Sequence, residues 1–231
     1  MDDNNEENRI HTAIILEGVA KLLKPTLKHG SHFFNGTFFE KVASLIKTKL
    51  IDVQILPELK SKNAALYVYP NYGVDGLEGN TIYFPTIPSM VSRSAIAHEA
   101  VHAYFDYLGK AMSNRENEEM AYFVQGFILA KDMGFRSAMK EIEELKAKVL
   151  LIGCLASESE KKVISSEEFN KKHVLDSGEK VNPFKELIAF VSRTSKDYEN
   201  RYDGVQIRRR HEIWGKDNSA DTGADTGIYW V

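Results

Sequence analysis

Apolar positions recur at helical spacing over residues 10–24, a stretch that stops before Pro25, and again over residues 37–50, where Thr37-Phe38-Phe39-Glu40 reads as a capping box. The period then shortens. Residues 52–56 and the run Ala65-Leu66-Tyr67-Val68-Tyr69 are β-branched and aromatic, as strands require. Glycine-punctuated turn material follows over residues 72–79. A second short strand, Thr81-Ile82-Tyr83-Phe84, is closed by Pro85 and Pro88.

From Val91 to Phe105 the pattern is apolar on nearly every face of a helix, which places that helix in a core. Gly109 ends it in the C′ manner, and Ser113-Asn114-Arg115-Glu116 forms a capping box that opens the next helix, with Gly134 just past its end. Residues 137–157 read as one charged amphipathic helix. Ser165-Ser166-Glu167-Glu168 starts a short one, and Asn182-Pro183 supplies N-cap and N1 signals for a last helix to about residue 202. The expected class is α+β: helix-rich, with a small mixed or antiparallel sheet ahead of the apolar helix.

Length and composition narrow this further. A chain of 231 residues that is 43% hydrophobic buries a full core as a single domain. A net charge of −3 argues against a nucleic-acid partner bound through phosphates. One cysteine permits no intrachain disulfide, and Cys154 lies in an apolar run as a buried small hydrophobe. No apolar stretch is long enough to span a membrane, and residues 1–8 are acidic and polar, the opposite of a signal peptide. Residues 1–9 therefore read as a disordered tail, and the expected location is the cytoplasm, with signal-independent export left open. At the other end Ala220-Asp221-Thr222-Gly223 is repeated as Ala224-Asp225-Thr226-Gly227, so residues 216–231 read as flexible linker material with an aromatic tip.

The chemistry concentrates in the apolar helix. His98-Glu99-Ala100-Val101-His102 places two imidazoles four residues apart, on one helix face, within reach of a single ion. Glu99 lies at the flank, where a metal-held water would sit. This is the His-Glu-x-x-His arrangement of zinc hydrolases, two ligands plus a general base. The plain alternative is a core helix whose histidines are satisfied by hydrogen bonds. A catalytic zinc wants a third protein ligand. Two adjacent helices joined by a short turn pack antiparallel, bringing Glu118 or Glu119 opposite the histidines. Glu118 shares its face with Ala121, Tyr122 and Gln125, while Glu119 faces Tyr122, Phe123 and Gly126, so periodicity favours Glu118 without closing the choice.

His98-Glu99-x-x-His102 followed by Glu118-x-x-Ala121-Tyr122 resembles the zincin metallopeptidases, specifically the gluzincins, over about residues 64–132. The spacer from His102 to Glu118 is shorter than in thermolysin-like enzymes. Phe105 and Leu108 stand where the metzincin motif has its glycine and third histidine.

The resemblance implies that residues 10–215 are one zincin-like domain with Zn2+ on His98, His102 and Glu118 (Glu119 the alternative) and Glu99 as general base. The implied reaction is cleavage of a peptide or protein substrate lying extended along a strand edge; the strand over residues 80–84, or the hairpin before it, is the candidate edge. Tyr122, Tyr198, Tyr202 and His211 are candidate oxyanion donors. The other expectations are a non-catalytic zincin-like binding or regulatory domain, and a metal-dependent amidase acting on a non-protein amide.

Overall fold

The computed structural model describes residues 2–57, 59, 65–70, 77–109 and 112–201, with side chains for all of these except 2–4 and 195–201. The chain enters as helix. α1 (Asp2–Leu22) takes in most of the segment expected to be a disordered tail. The reason is tertiary: Asn8 is buried, and Arg9 reaches Asp52 at 2.9 Å, so the start of the helix is tied to a strand 43 residues away. β1 (Thr26–His29) and β2 (His32–Phe34) form a tight antiparallel hairpin around Gly30, whose φ of +57° suits glycine. α2 (Gly36–Lys47) starts two residues earlier than its sequence signal. Its N-cap is Asn35, whose side chain accepts from Thr37 N–H, and the Thr37 capping box is not formed.

β3 (Asp52–Ile55), β4 (Leu66–Val68) and β5 (Thr81–Phe84) make a three-stranded sheet in the order β3-β5-β4, parallel between β3 and β5 and antiparallel between β5 and β4. β5 is therefore the middle strand. It is paired on both sides and offers no free edge, which corrects the expectation for residues 80–84; the edge nearest the central helices belongs to β4.

α3 (Arg93–Tyr107) and α4 (Asn114–Met133) are the centre of the molecule. Every residue of α3 from Ser94 to Asp106 is buried, as is every residue of α4 from Asn117 to Ala130. Their ends follow the sequence signals. Ser92 caps α3 by accepting from Ala95 N–H, and Gly109 leaves it at φ +57°. The Ser113–Glu116 capping box is formed in both directions, and Gly134 follows α4 at φ +87°.

The single helix expected over residues 137–157 is two. α5 (Phe135–Glu144) ends before Lys146, which takes φ +55°, and a 3-10 turn then leads into α6 (Leu151–Ala156). The break turns the run around Cys154 inward against α4, where the two backbones nearly touch. A Cβ on Gly126 would stand 2.1 Å from the Leu150 carbonyl oxygen, and one on Gly153 would stand 2.1 Å from that of Phe123.

β6 (Val163–Ser165) returns to pair in parallel with β1, giving a second sheet ordered β2-β1-β6 that the sequence pattern did not announce. A 3-10 turn at Ser166–Phe169 follows, then the small pair β7 (His173–Val174) and β8 (Lys180–Val181). α7 (Pro183–Arg201) opens where Asn182 accepts from Lys185 N–H. The class is α+β. No helix among the described residues is long and apolar enough to cross a membrane.

The glycine contacts yield a paired prediction. Gly126→Ala is expected to destabilise the fold by about 1–3 kcal/mol through forced overpacking against a backbone carbonyl. Gly18→Ala, in α1 with nothing within 4 Å, should be neutral or stabilise by about 0.5–1 kcal/mol. Urea midpoints of both variants check this, and equal midpoints would contradict the close crossing of α4 and α6.

Candidate metal centre

The antiparallel pairing of α3 with α4 brings three side chains to one point. The Nε2 atom of His102 lies 3.2 Å from Glu118 Oε1, and that of His98 lies 3.6 Å from Glu118 Oε2. One ligand atom from each of the three residues falls within 4.8 Å of the other two. His98 and His102 are each 1% exposed, and Glu118 is 2% exposed.

The imidazole hydrogen bonds fix what faces the centre. His98 Nδ1 lies 2.9 Å from Gln125 Oε1, and His102 Nδ1 lies 3.1 Å from Asn117 Oδ1. An amide oxygen only accepts, so in both rings Nδ1 carries the hydrogen and Nε2 is the nitrogen turned to the centre. Asn117 holds its orientation with its other end, donating from Nδ2 to the Tyr69 hydroxyl at 3.1 Å. Burial holds the His98 imidazole down to a pKa of about 3, so the ring is neutral, the form that binds a metal.

These residues fit a divalent cation. Two nitrogen lone pairs and a carboxylate are the donor set of a His2Glu zinc site, and neighbouring ligand atoms around tetrahedral zinc sit about 3.3 Å apart for bonds of about 2.05 Å. The observed separations of 3.2 and 3.6 Å, each to a different Glu118 oxygen, lie near that value, and the three ligand atoms all fall within 4.8 Å of one another. Three protein donors converge among the described residues, so a tetrahedral ion held there would keep a fourth position for water.

Glu99 is 2% exposed and lies beside this group. Its Oε2 accepts from Tyr67 N–H of β4 at 2.8 Å. Burial pushes its carboxyl up to about 8, Glu118 adds to the rise by charge repulsion, and the Tyr67 hydrogen bond opposes it. A dication held by the neighbouring ligands acts in the reverse direction and favours the carboxylate.

The other expected site residues separate. Glu119 turns away from the histidine pair to His29 Nε2 at 2.8 Å and Arg115 Nε at 2.7 Å, so of the two acids it is Glu118 that joins the group able to hold a metal. Tyr122 is buried with its ring edge-on to His98, at 4.6 Å between centroids, and against Phe190 of α7 at 5.5 Å. The Tyr198 side chain, Tyr202 and His211 lie outside the described residues, as does the tail over 216–231. Cys154 is buried as expected, and burial raises its thiol to about 12.

Sequence reasoning missed Asn117 and Gln125 as imidazole partners and β4 as the partner of Glu99. Gln125 shares a helical face with Glu118, so its position was legible; its bond to His98 depends on the register of α3 against α4.

No family model, curated protein or solved structure matches the chain.

Two expectations follow from the geometry. Protein purified without chelators should carry about one zinc per chain, and His98→Ala should lose it. Asn117→Ala and Gln125→Ala should each weaken zinc binding by roughly 10–100-fold while leaving the ligands intact. Chelator competition reads both, and unchanged affinity would mean that packing alone orients the rings.

Proposed function

We propose that the protein is a zinc-dependent metallopeptidase in which His98, His102 and Glu118 hold the ion and Glu99 is the general base. What carries this reading is the convergence of two imidazole nitrogens of α3 with the Glu118 carboxylate of α4, beside the Glu99 carboxylate on the histidines' own helix. The resemblance of the His98-to-Glu118 motif to gluzincins supports it from the sequence side.

Zinc in such a site acidifies water at its open position and polarises a carbonyl. The protein's own residues do the rest. Asn117 and Gln125 keep both Nε2 atoms aimed inward. Glu99 takes a proton from the attacking water and delivers it to the nitrogen of the leaving amine. The substrate is a peptide or protein whose backbone lies along the β4 edge in a β-augmentation mode. A substrate strand placed there competes for Tyr67 N–H, the donor that restrains Glu99, so binding loosens the base as it arrives.

Burial of the whole group favours a second reading. A structural metal needs no access for substrate whereas a hydrolytic one does, and these four side chains are only 1–2% exposed. On that reading the chain is a binding or regulatory domain with a buried metal. As a peptidase it must displace part of its cover, formed on one side by β4 and on the other by Tyr122 and Phe190.

Glu99→Gln separates the two. It should retain zinc while hydrolysis of a peptide library falls by at least about 100-fold. Robust turnover in that variant would remove Glu99 from the assigned role. A zinc-loaded wild type that cleaves neither peptides nor small amides would support the closed, non-catalytic site, and cleavage of small amides alone would make the enzyme an amidase.

A further inference from the structure

A second buried polar network lies on the far side of the same helical turn, and neither the proposed reaction nor the sequence pattern accounts for it. Glu119, 4% exposed, places Oε2 2.8 Å from His29 Nε2 and Oε1 2.7 Å from Arg115 Nε. His29 Nδ1 in turn lies 2.7 Å from the hydroxyl of Ser166, which is fully buried. With the His29 ring neutral, one arrangement of protons satisfies all three contacts. An ionised Glu119 only accepts, so His29 donates from Nε2 and Arg115 donates from Nε. His29 Nδ1 is then an acceptor, and Ser166 donates its hydroxyl hydrogen to it. The chain Ser166–His29–Glu119–Arg115 thus ties β1 and the 3-10 turn after β6 to the first turns of α4. The second hairpin histidine, His32, stands 3.7 Å from Glu116, the capping-box acid of the same helix.

We propose that His29 is a positioning residue for the metal ligand Glu118, acting through Glu119. Successive residues on a helix point about 100° apart, so anchoring Glu119 fixes the rotation at which Glu118 is presented. The sensitivity is large. A side-chain carboxylate lies roughly 6 Å from its helix axis, so a 20° rotation of this turn carries it about 2 Å, beyond the roughly 0.5 Å that a metal or catalytic constellation tolerates. Glu119 is buried, and a buried carboxylate that loses a donor is driven to find another. The nearest available adjustment is rotation of the turn that also carries Asn117 and Glu118.

This inference rests on the reading that His98, His102 and Glu118 hold the metal, and one titration distinguishes the two. Zinc affinity by chelator competition and the absorption spectrum of the cobalt(II)-loaded protein are measured on wild type, Glu119→Gln, Ser166→Ala, His29→Leu and His29→Gln, beside melting curves of the metal-free proteins. Expected are a loss of zinc affinity of about tenfold or more and an altered cobalt spectrum in Glu119→Gln and His29→Leu. A smaller loss is expected in Ser166→Ala, as is partial recovery in His29→Gln, which keeps one donor and one acceptor. A merely structural role would lower the melting temperature and leave the cobalt spectrum of the folded protein unchanged. If His29→Leu does not fold, Glu119→Gln and Ser166→Ala decide. Wild type that binds zinc, with folded variants matching its affinity within twofold, overturns the positioning role alone. Wild type that binds neither metal overturns it together with the metal site.

Discussion

The imidazole Nε2 atoms of His102 and His98 meet the Glu118 carboxylate at 3.2 and 3.6 Å inside the protein. Two imidazole nitrogens and a carboxylate facing one point favour a cation or a proton between them. The surrounding structure holds the three side chains in that arrangement. Gln125 and Asn117 each take one imidazole N–H, and the Asn117 amide is held in turn by Tyr69. The result is a preformed donor set whose orientation is determined from behind, which is how metal sites gain affinity beyond the identity of their ligands.

α4 is the element on which this depends, because it is held on several sides at once. Toward α3 it presents Glu118, Asn117 and Gln125. Toward the β1–β2 hairpin it presents Glu119 and Glu116. Along its middle, Gly126 meets α6 backbone to backbone at a distance no side chain allows. A helix packed this closely moves as a rigid piece, since dense interiors shift between discrete arrangements rather than deforming smoothly. Displacing it on any one of these sides is felt by the ligand on another.

The sequence made the centre of the molecule legible and its periphery much less so. α3 and α4 have strong local signals in Ser92, Gly109, the Ser113–Glu116 box and Gly134. The His98/His102 spacing is a property of the helix itself and needs no tertiary information. The choice between Glu118 and Glu119 did need it. Both are buried, and only the rotation of α4 against α3 and against His29 assigns one to each side. The same limit explains the helix expected at 137–157. Its charged face suited a continuous helix, but packing of Gly153 on α4 required a break at Lys146. Residues 2–9 were misread because their acidity suggested solvent, while the Arg9–Asp52 pair that anchors them joins segments far apart in the chain. The sheet of β1, β2 and β6 escaped because two- to four-residue strands carry too little alternation to read.

Exceptions to ordinary burial rules cluster at functional sites, and here they cluster tightly. Glu99, Glu118 and Glu119 are three acids buried within two adjacent helices, and with His98, His102 and His29 they form two networks that share one turn of α4. A chain selected for stability alone would fill these positions with apolar residues, since replacing buried ionic groups by well-packed hydrophobes is often neutral or stabilising. Glu119 is matched within the protein by His29 and Arg115. Glu99 and Glu118 instead repel each other, and for Glu99 burial works in the same direction. One network pairs its acid with imidazole and guanidinium donors of the chain, while the other gathers imidazoles and carboxylates into a group that could hold a divalent ion. This asymmetry across a single helical turn separates the anchoring side of α4 from its ligand-binding side.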